Sequence, residues 1–172
     1  MDMTERIEVT GSLIKLRTTV AADESALLAI RRTDEVRRRW RGDDLAAEFA
    51  DNLADDESFQ LTIEAEERIV GLIQFSEETD PDYRHASVDI YIDPAHHRQG
   101  YASHAIRCLV DYLFDDRGHH RVTIDPAADN QPAISCYASV GFQPVGILRS
   151  YERQANGTWA DGLFMELLAT DR

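Results

Sequence analysis

Residues 93–106, DPAHHRQGYASHAI, stand where an alternating strand stops and a helical pattern begins. The strand reads SVDIYI at residues 87–92, and the Asp-Pro pair breaks it. Gly100 permits a tight backbone turn, and the small side chains of Ala102 and Ser103 leave space beside the first helical turn. Because that turn carries unpaired amide groups and the positive end of the helix dipole, the stretch predicts a loop that binds an anion such as a diphosphate. An ordinary loop that contains a glycine explains the residues equally well.

The chain after this loop alternates between helices and strands. In residues 102–114 the apolar residues recur at spacings of three and four, which places them on one face of a helix. Asn156-Gly157 between two alternating runs is a strong hairpin signal. The predicted elements are helix 102–114, strand 121–124, a helix capped by Asn130, and strands 142–152 and 158–168.

The chain before the loop predicts a strand, two helices and a hairpin. The basic run RRTDEVRRRWRGDD between the two helices is assigned no element. The predicted elements are strand 12–20, a helix capped by Asp23 with Ala26, Leu27 and Ile30 as its apolar face, a short helix capped by Asp43 or Asp44, hairpin strands 59–64 and 69–75, and strand 85–92. The whole order predicts an α+β fold with a mixed, mostly antiparallel sheet and one β-α-β crossover.

The length of the chain predicts a single domain, residues 1–172. Its formal net charge is −14. Such acidity argues against binding to nucleic acid or anionic membranes and favours cationic partners, although solubility or a salty cytoplasm explains an acidic surface equally well. No apolar run approaches the roughly 18 residues of a membrane helix, and the acidic N-terminus is unlike a secretory signal, so a cytoplasmic location is expected. Cys108 and Cys136 form neither a disulfide framework nor a zinc pattern, and no metal is expected.

Two motifs resemble the GNAT superfamily of acetyl-CoA-dependent N-acetyltransferases. The loop looks like motif A, a strand followed by [Arg/Gln]-x-x-Gly-x-[Gly/Ala] and a helix, with His97 at the position where arginine or glutamine is usual. The run DNQPAISCYASVGF is similar to motif B, Asn-x-x-Ala-x-x-x-Tyr-x-x-x-Gly-Phe. It matches that motif at Asn130, Ala133, Tyr137, Gly141 and Phe142. The resemblance covers about residues 13–168.

This resemblance implies a GNAT fold, with a central sheet flanked by about four helices and splayed between its fourth and fifth strands, here 85–92 and 121–124. It implies acetyl-CoA as cosubstrate, with the pantetheine arm in the splay and the diphosphate on the loop. The residues implied in binding it are Tyr91, Ile92, His97, Arg98, Gln99, Gly100, Tyr101, Ala102, Ser103, Asn130, Ala133 and Tyr137.

Acetyl transfer to an amine requires the ammonium to lose a proton, because a free alkyl amine has a pKa of about 10. The leaving thiolate benefits from gaining a proton, and the resemblance implies Tyr137 as this general acid. Asp89 lies within one of the splayed strands and Asp125 ends the other. We expect Asp89 to be the base and Asp125 the substrate anchor, and the reverse division stays open. Transfer is expected to be direct, in a ternary complex, without an acetyl-Cys136 intermediate.

The segment TIDPAADN, residues 123–130, resembles the Thr-Asp-Pro-x-x-x-Asn signature of aminoglycoside 6′-N-acetyltransferases, with one residue inserted. That branch implies Trp40 in the acceptor pocket, although it usually has paired tryptophans there. Asp161 in the last hairpin is a further acid predicted to face the acceptor, beside Asp89 and Asp125. The expected acceptor is a primary amine of a cationic small molecule. A protein N-terminus, a ribosomal protein, a polyamine, a non-catalytic CoA-binding module and a homodimer all stay open.

Overall fold

The computed structural model describes residues 6–55 and 57–172. Its strands are β1 Glu8–Thr10, β2 Lys15–Thr18, β3 Ser58–Ala65, β4 Arg68–Glu78, β5 His85–Ile92, β6 Arg121–Ile124, β7 Gln143–Arg153 and β8 Trp159–Leu168. Its helices are α1 Glu24–Arg31, α2 Asp34–Arg39, α3 Leu45–Ala54, α4 Tyr101–Asp115 and α5 Gln131–Val140. None of the helices in these described ranges is both long and apolar enough to cross a membrane.

The strands of the described residues form one sheet in the order β1-β2-β3-β4-β5-β6-β8-β7. β2 pairs antiparallel with β1 and β3, β3 with β4, and β8 with β6 and β7. β5 pairs parallel with β6, joining Ala86 to Val122 and Ser87 to Thr123. A parallel pair needs a crossover connection, and α4 is that connection. The predicted mixed, mostly antiparallel α+β fold with a β-α-β crossover is therefore confirmed.

The chain forms two compact units, and the first contains the residues up to Ser76 together with Ile90–Leu109. Helix α1 buries its apolar side in this unit because its leucine and isoleucine residues recur at helical spacing, and α2 buries one residue, Val36. Trp40, Phe49 and Ile69 pack against the same cluster. The buried members of the cluster are Leu27, Ile30, Val36, Leu72 and Tyr91.

A buried ion pair joins β2 to the start of α1 in the first unit. The two guanidinium nitrogens Nη1 and Nη2 of Arg17 donate to the Asp23 carboxylate at 2.7 and 2.8 Å. The amide of Val20 and the hydroxyl of Thr62 donate to the same carboxylate, each at 3.0 Å. Burial opposes ionisation of Asp23, but these donors outweigh it and hold the pKa of Asp23 below its ordinary value.

The second unit contains Glu77–Asp89 and Val110–Arg172. Its sheet buries Val122 and Met165 on neighbouring strands β6 and β8. In the same unit, the Glu77 carboxylate accepts from Nε of Arg117 at 3.1 Å and lies 2.6 Å from Nε2 of His119. This polar network fixes the chain just after α4. The prediction of a single domain stays a prediction.

The structure corrects several predicted elements. Residues 12–20 are not one strand, because the amide of Gly11 donates to Ile14 and forms a turn between β1 and β2. The basic run contains α2, which buries Val36 and has its acids at the N-terminal end and its arginines at the C-terminal end, as the helix dipole favours. The described residues therefore have five α-helices rather than about four. On α1, Ala26 is exposed and Leu28 is buried instead.

Candidate active site

The loop between β5 and α4 is held in shape by two of its own side chains. The Asp93 carboxylate accepts from the amide of Ala95 at 3.0 Å and caps a short 3-10 turn, Pro94–His96. Nε2 of His97 lies 3.1 Å from the carbonyl oxygen of Ile92, the last residue of β5. His97, predicted to help bind the cofactor, therefore ties the loop back to its strand.

Positive φ angles turn the chain just before α4 begins. The φ angle is 61° at Arg98 and 82° at Gly100, in the left-handed region that glycine tolerates best. Residues 98–100 are exposed. The amide of His104 donates to the carbonyl of Gly100 at 3.1 Å, which is the first turn of the helix. Helix geometry therefore leaves the amides of residues 101–103 without an acceptor inside the helix.

These groups fit a diphosphate. The amides at the start of α4 are donors at the positive end of a 15-residue helix, and the exposed Arg98 adds a full positive charge beside them. The Tyr101 ring is buried, so its bulk is directed into the protein. Ala102 and Ser103 are small and half-buried, and Gln99 is exposed. The donor set suits the anion that the sequence predicts at this loop.

The end of β5 is closely packed on its other side. A Cβ atom at Gly71 would stand 2.2 Å from the carbonyl oxygen of Tyr91, so only glycine lets β4 approach here. Tyr91 and Ile92 are both buried, and burial raises the pKa of Tyr91. The Tyr91 ring meets Trp40 edge to face at 4.8 Å, and the Arg31 guanidinium lies 5.6 Å from the Trp40 ring centre. Trp40, predicted for the acceptor pocket, is half-buried in this contact.

The structure brings together the three predicted catalytic side chains. Tyr137 is buried, and burial raises the pKa of its phenol. The Asp89 carboxylate, Cys136 and the Asp125 carboxylate each raise it further. Asp89 is exposed on β5, and Asp125 is half-buried just beyond the end of β6. The arrangement is a protonated phenol in the electrostatic field of two carboxylates, that is, one proton donor and two groups able to accept a proton.

A fourth side chain, Tyr151, belongs to this group, and the sequence did not predict it. Interaction with the Asp125 carboxylate, together with partial burial and the nearby charge of Asp89, raises the pKa of Tyr151 to about 12. The ring is half exposed, at 52%. In the sequence, Tyr151 is one more residue of an alternating strand.

A bulge in β7 explains why periodicity could not place Tyr151. The pairing of β7 with β8 shifts between Leu148 and Glu152, so residues 149–151 do not follow the regular ladder. Ser150 has a φ angle of 49°, and its amide donates to Oδ1 of Asp161 at 2.8 Å. Asp161, predicted to face the acceptor, thus binds the backbone of the bulge with its carboxylate.

Asn130 and Ala133 lie at the start of α5. Oδ1 of Asn130 accepts from the amide of Ala133 at 3.4 Å, which is the predicted helix cap. The backbone amide of Asn130 donates to Ala127 at 2.9 Å. The side-chain NH₂ group of Asn130 is the donor that this cap does not use.

The histidines of the loop each face an acid. Nδ1 of His96 lies 3.3 Å from Asp93, and Nδ1 of His97 lies 3.8 Å from Glu35. Among the residues that the structure describes, histidine, cysteine, aspartate and glutamate side chains form no group of three or more arranged to hold a metal ion.

Comparison with known sequences gives a family. The chain matches the acetyltransferase (GNAT) family over residues 26–142. It is 28% identical to spermidine N(1)-acetyltransferase of Vibrio cholerae over 73% of this chain and 72% of that protein. It is 31% identical to aminoglycoside N(6′)-acetyltransferase type 1 of Klebsiella pneumoniae over 56% of this chain and 43% of that protein. Alignments with three N-acetyltransferases from Bacillus, one described as the probable N-acetyltransferase YjcK, span 69%, 61% and 42% of those proteins' lengths.

Comparison with solved structures gives the same fold. Spermidine N-acetyltransferase from Vibrio cholerae, solved in complex with CoA and spermine, superposes with a TM-score of 0.80. The match covers 94% of this chain and 98% of that one at 22% sequence identity. The family match includes the loop before α4 and both Asp125 and Tyr137. The chain therefore belongs to the acetyltransferase (GNAT) family.

Proposed function

We propose that this acetyltransferase moves an acetyl group from acetyl-CoA directly to a primary amine of a cationic small molecule, of the aminoglycoside type. The observation that carries the proposal is the cluster of Asp89, Asp125 and Tyr137, in which the charges of both carboxylates act on a buried phenol. Amine acetylation needs a proton acceptor at the nitrogen and a proton donor at the sulfur, and this cluster contains both.

The loop before α4 is the proposed cofactor site. Acetyl-CoA, when bound, supplies the acetyl group as an activated thioester. The amides of residues 99–103 and the Arg98 guanidinium bind the diphosphate, supported by the positive φ angles that turn the loop and by the helix dipole. His97 holds the loop to β5. The backbone of Tyr91 and Ile92, and Asn130 with Ala133 at the start of α5, contact the pantetheine arm.

Tyr137 is the proposed general acid. The acceptor nitrogen forms a bond to the acetyl carbon as the carbon–sulfur bond breaks, and the phenol donates its proton to the departing sulfur. Because burial and the nearby carboxylates raise its pKa, Tyr137 stays protonated across the physiological pH range. The phenol is regenerated by a proton that the acceptor ammonium has given up.

Asp89 and Asp125 have different surroundings, which supports different roles. Asp89 is exposed, so water can relay the ammonium proton to it. Asp125 is half-buried, so its carboxylate is less exposed to water than that of Asp89 and attracts an ammonium more strongly. We assign Asp89 as the base and Asp125 as the anchor of the acceptor. Trp40 and Asp161 are each proposed as a further contact of the acceptor.

The acceptor class is supported by charge and by relatives. A net charge of −14 favours a cationic acceptor. The aminoglycoside N(6′)-acetyltransferase of Klebsiella pneumoniae is 31% identical over the aligned part. A polyamine is the second candidate, because the spermidine N(1)-acetyltransferase of Vibrio cholerae aligns over 73% of this chain, a longer span.

A thiol-release assay with acetyl-CoA tests the acceptor. The panel contains kanamycin A, spermidine and a basic peptide with a free N-terminus. We expect kanamycin A to give the highest kcat/KM, and Asp89→Asn to lower its kcat far more than its KM. A higher kcat/KM with spermidine selects the second candidate, and turnover of the peptide alone contradicts both.

A further inference from the structure

We propose that Arg31 is a positioning residue, which holds the Trp40 ring in the place where it contacts the acceptor. The inference rests on the acceptor contact proposed above for Trp40, and it adds the residue that fixes this contact. Its basis is one buried guanidinium group that binds the backbone at Trp40 and also lies against the Trp40 ring.

The Arg31 guanidinium binds the loop between α2 and α3. Its Nη2 donates to the carbonyl oxygen of Trp40 at 3.3 Å and to that of Arg41 at 3.2 Å. The same nitrogen lies 3.3 Å from Oε2 of Glu48, in the first turn of α3. Arg31 is the last residue of α1, and Trp40 directly follows α2. One side chain therefore joins the end of α1 to the end of α2 and the start of α3.

The loop leaves room for this contact. A Cβ atom at Gly42 would overlap the Glu48 carboxylate, so the glycine in the sequence WRGDD provides space for that side chain. The Asp44 carboxylate accepts from the amide of Ala47 at 3.1 Å and caps α3. The loop that begins at Trp40 is thus fixed at its other end by a helix cap.

The Trp40 ring itself is held by two contacts. The Arg31 guanidinium lies over the ring, 5.6 Å from its centre, and Tyr91 meets the ring edge to face at 4.8 Å. Cation–π and aromatic contacts of this kind both favour particular orientations of a ring. Because Trp40 is only half-buried, part of the ring stays exposed while its orientation is fixed.

Stability alone does not account for Arg31. Its side chain is nine-tenths buried, and its Nε is buried without a hydrogen-bond partner among the residues that the structure describes. A buried donor left unpaired costs free energy, and apolar replacement of a buried ion pair often leaves stability unchanged. The Glu48 side chain is 38% exposed, so in Arg31→Met its carboxylate would stay in contact with water. We therefore expect this variant to fold.

A fixed Trp40 ring has a consequence for acceptor binding. A side chain that already has its bound orientation loses little conformational freedom when the acceptor arrives. The Glu48 carboxylate balances the charge of Arg31, so the pair adds no net charge that would repel a cationic acceptor. Loss of Arg31 should consequently weaken acceptor binding through Trp40 and leave the chemical step unchanged.

The first measurement follows the Trp40 ring and needs no acceptor. The chain has two tryptophans, so Trp159→Phe leaves Trp40 as the only one. In this background Arg31→Met should shift the Trp40 emission to longer wavelength and make it more accessible to acrylamide. Arg121→Met is the matched control, because the Arg121 guanidinium also lies 5.6 Å from a ring centre, that of Phe164, and pairs with a carboxylate. It should leave the Trp40 emission unchanged.

The second measurement is a double-mutant cycle with Arg31→Met, Trp40→Ala and the double variant. The acceptor is the member of the panel above that the wild-type enzyme acetylates best. Arg31→Met should raise the acceptor KM about tenfold, the effect of one lost aromatic contact, with kcat and the KM for acetyl-CoA unchanged. In the Trp40→Ala background the same change should have almost no further effect, because Arg31 acts through Trp40. Arg31→Lys, which keeps the charge but not the planar fork, should give a smaller rise.

The outcomes separate this inference from the proposed function. An unchanged Trp40 emission in Arg31→Met overturns the inference for any acceptor, and so do effects on the acceptor KM that multiply independently. If Trp40→Ala leaves the acceptor KM unchanged, the proposed contact of Trp40 fails and the inference fails with it. The proposed function fails separately, when the wild-type enzyme acetylates only the peptide. If thermal unfolding shows Arg31→Met to be unstable, Arg31→Lys carries the same comparison.

Discussion

Tyr137 combines a structural and a chemical demand in one side chain. Its ring packs in the second unit, 6.4 Å from the ring of Phe142, while its hydroxyl lies in the field of Asp89 and Asp125. Burial alone would make it an ordinary core residue. The two carboxylates distinguish it, because a negative environment stabilises the neutral, proton-donating form.

Substitution of Tyr137 by phenylalanine separates these demands. Phenylalanine retains the packing and removes the proton, so kcat should fall about 100-fold while the Kd for CoA stays unchanged. Steady-state kinetics and calorimetry with CoA measure the two quantities. A variant that keeps full kcat would exclude Tyr137 as the general acid.

The wild-type pH profile follows from the same environment. An acid that must be protonated loses activity as the pH rises through its pKa, and the pKa of Tyr137 is raised above its ordinary value of 10. Activity should therefore show no decline assignable to Tyr137 between about pH 8 and 10. A decline in this range that disappears in Tyr137→Phe would contradict the raised pKa.

At the scale of elements, the join between β5 and α4 is the proposed cofactor site. Gly100 has a φ angle of 82°, and an alanine in this region is strained by about 1 kcal/mol. Gly118, just beyond the end of α4, has a φ angle of 70° and nothing within 4 Å of an added Cβ. Its substitution by alanine therefore introduces the same backbone strain at a position outside the loop. Gly100→Ala should raise the Kd for CoA about tenfold by redirecting the amides, whereas Gly118→Ala should only lower stability. If calorimetry gave the same Kd for CoA in both variants, the proposal that this loop binds the cofactor would be contradicted.

The join between β2 and α1 makes stability depend on pH. Because the pKa of Asp23 is lower in the folded protein than its ordinary value of 3.8, its carboxylate stabilises the fold above that value and loses this effect as the pH falls through the folded pKa. Asp23→Asn should lower the free energy of unfolding by about 2 kcal/mol at pH 7, since it breaks a largely buried pair with Arg17. The difference in the free energy of unfolding between wild type and Asp23→Asn should become smaller below about pH 4.

Denaturant titration at several pH values measures this gap. Glu64→Gln is the control, because Glu64 is the more exposed of the two carboxylates that Arg17 contacts and should matter less. A gap between wild type and Asp23→Asn that stays constant down to pH 4 and below would contradict the lowered pKa.

The elements also show what periodicity can and cannot predict. The long helix, β5 and β6 were predictable because apolar spacing and Asp-Pro breaks define them locally. Helix α2 was not predictable, because it has only one buried residue, Val36, and its neighbours in the sequence are charged. The position of the Tyr151 ring beside Gly162 was not predictable, because a bulge in β7 shifts side chains out of the alternation.

At the scale of the whole molecule, two motifs far apart in the sequence were enough to predict the family, and the observed fold agrees with it. The acidic charge belongs to this scale as well, since it arises from the whole surface rather than from the cluster around Tyr137. It favours a cationic acceptor without naming one. The identity of the acceptor depends on the three-dimensional positions of the side chains that contact it, and no sequence spacing encodes those positions.

The central claim is that backbone amides at the start of α4 bind the diphosphate of acetyl-CoA. The most direct measurement is a titration of ¹⁵N-labelled protein with CoA, followed by amide chemical shifts. Amides of residues 99–103 should shift most and saturate together with the calorimetric binding curve. If CoA binds while these amides stay unmoved, or if it does not bind at all, the account of this site is wrong.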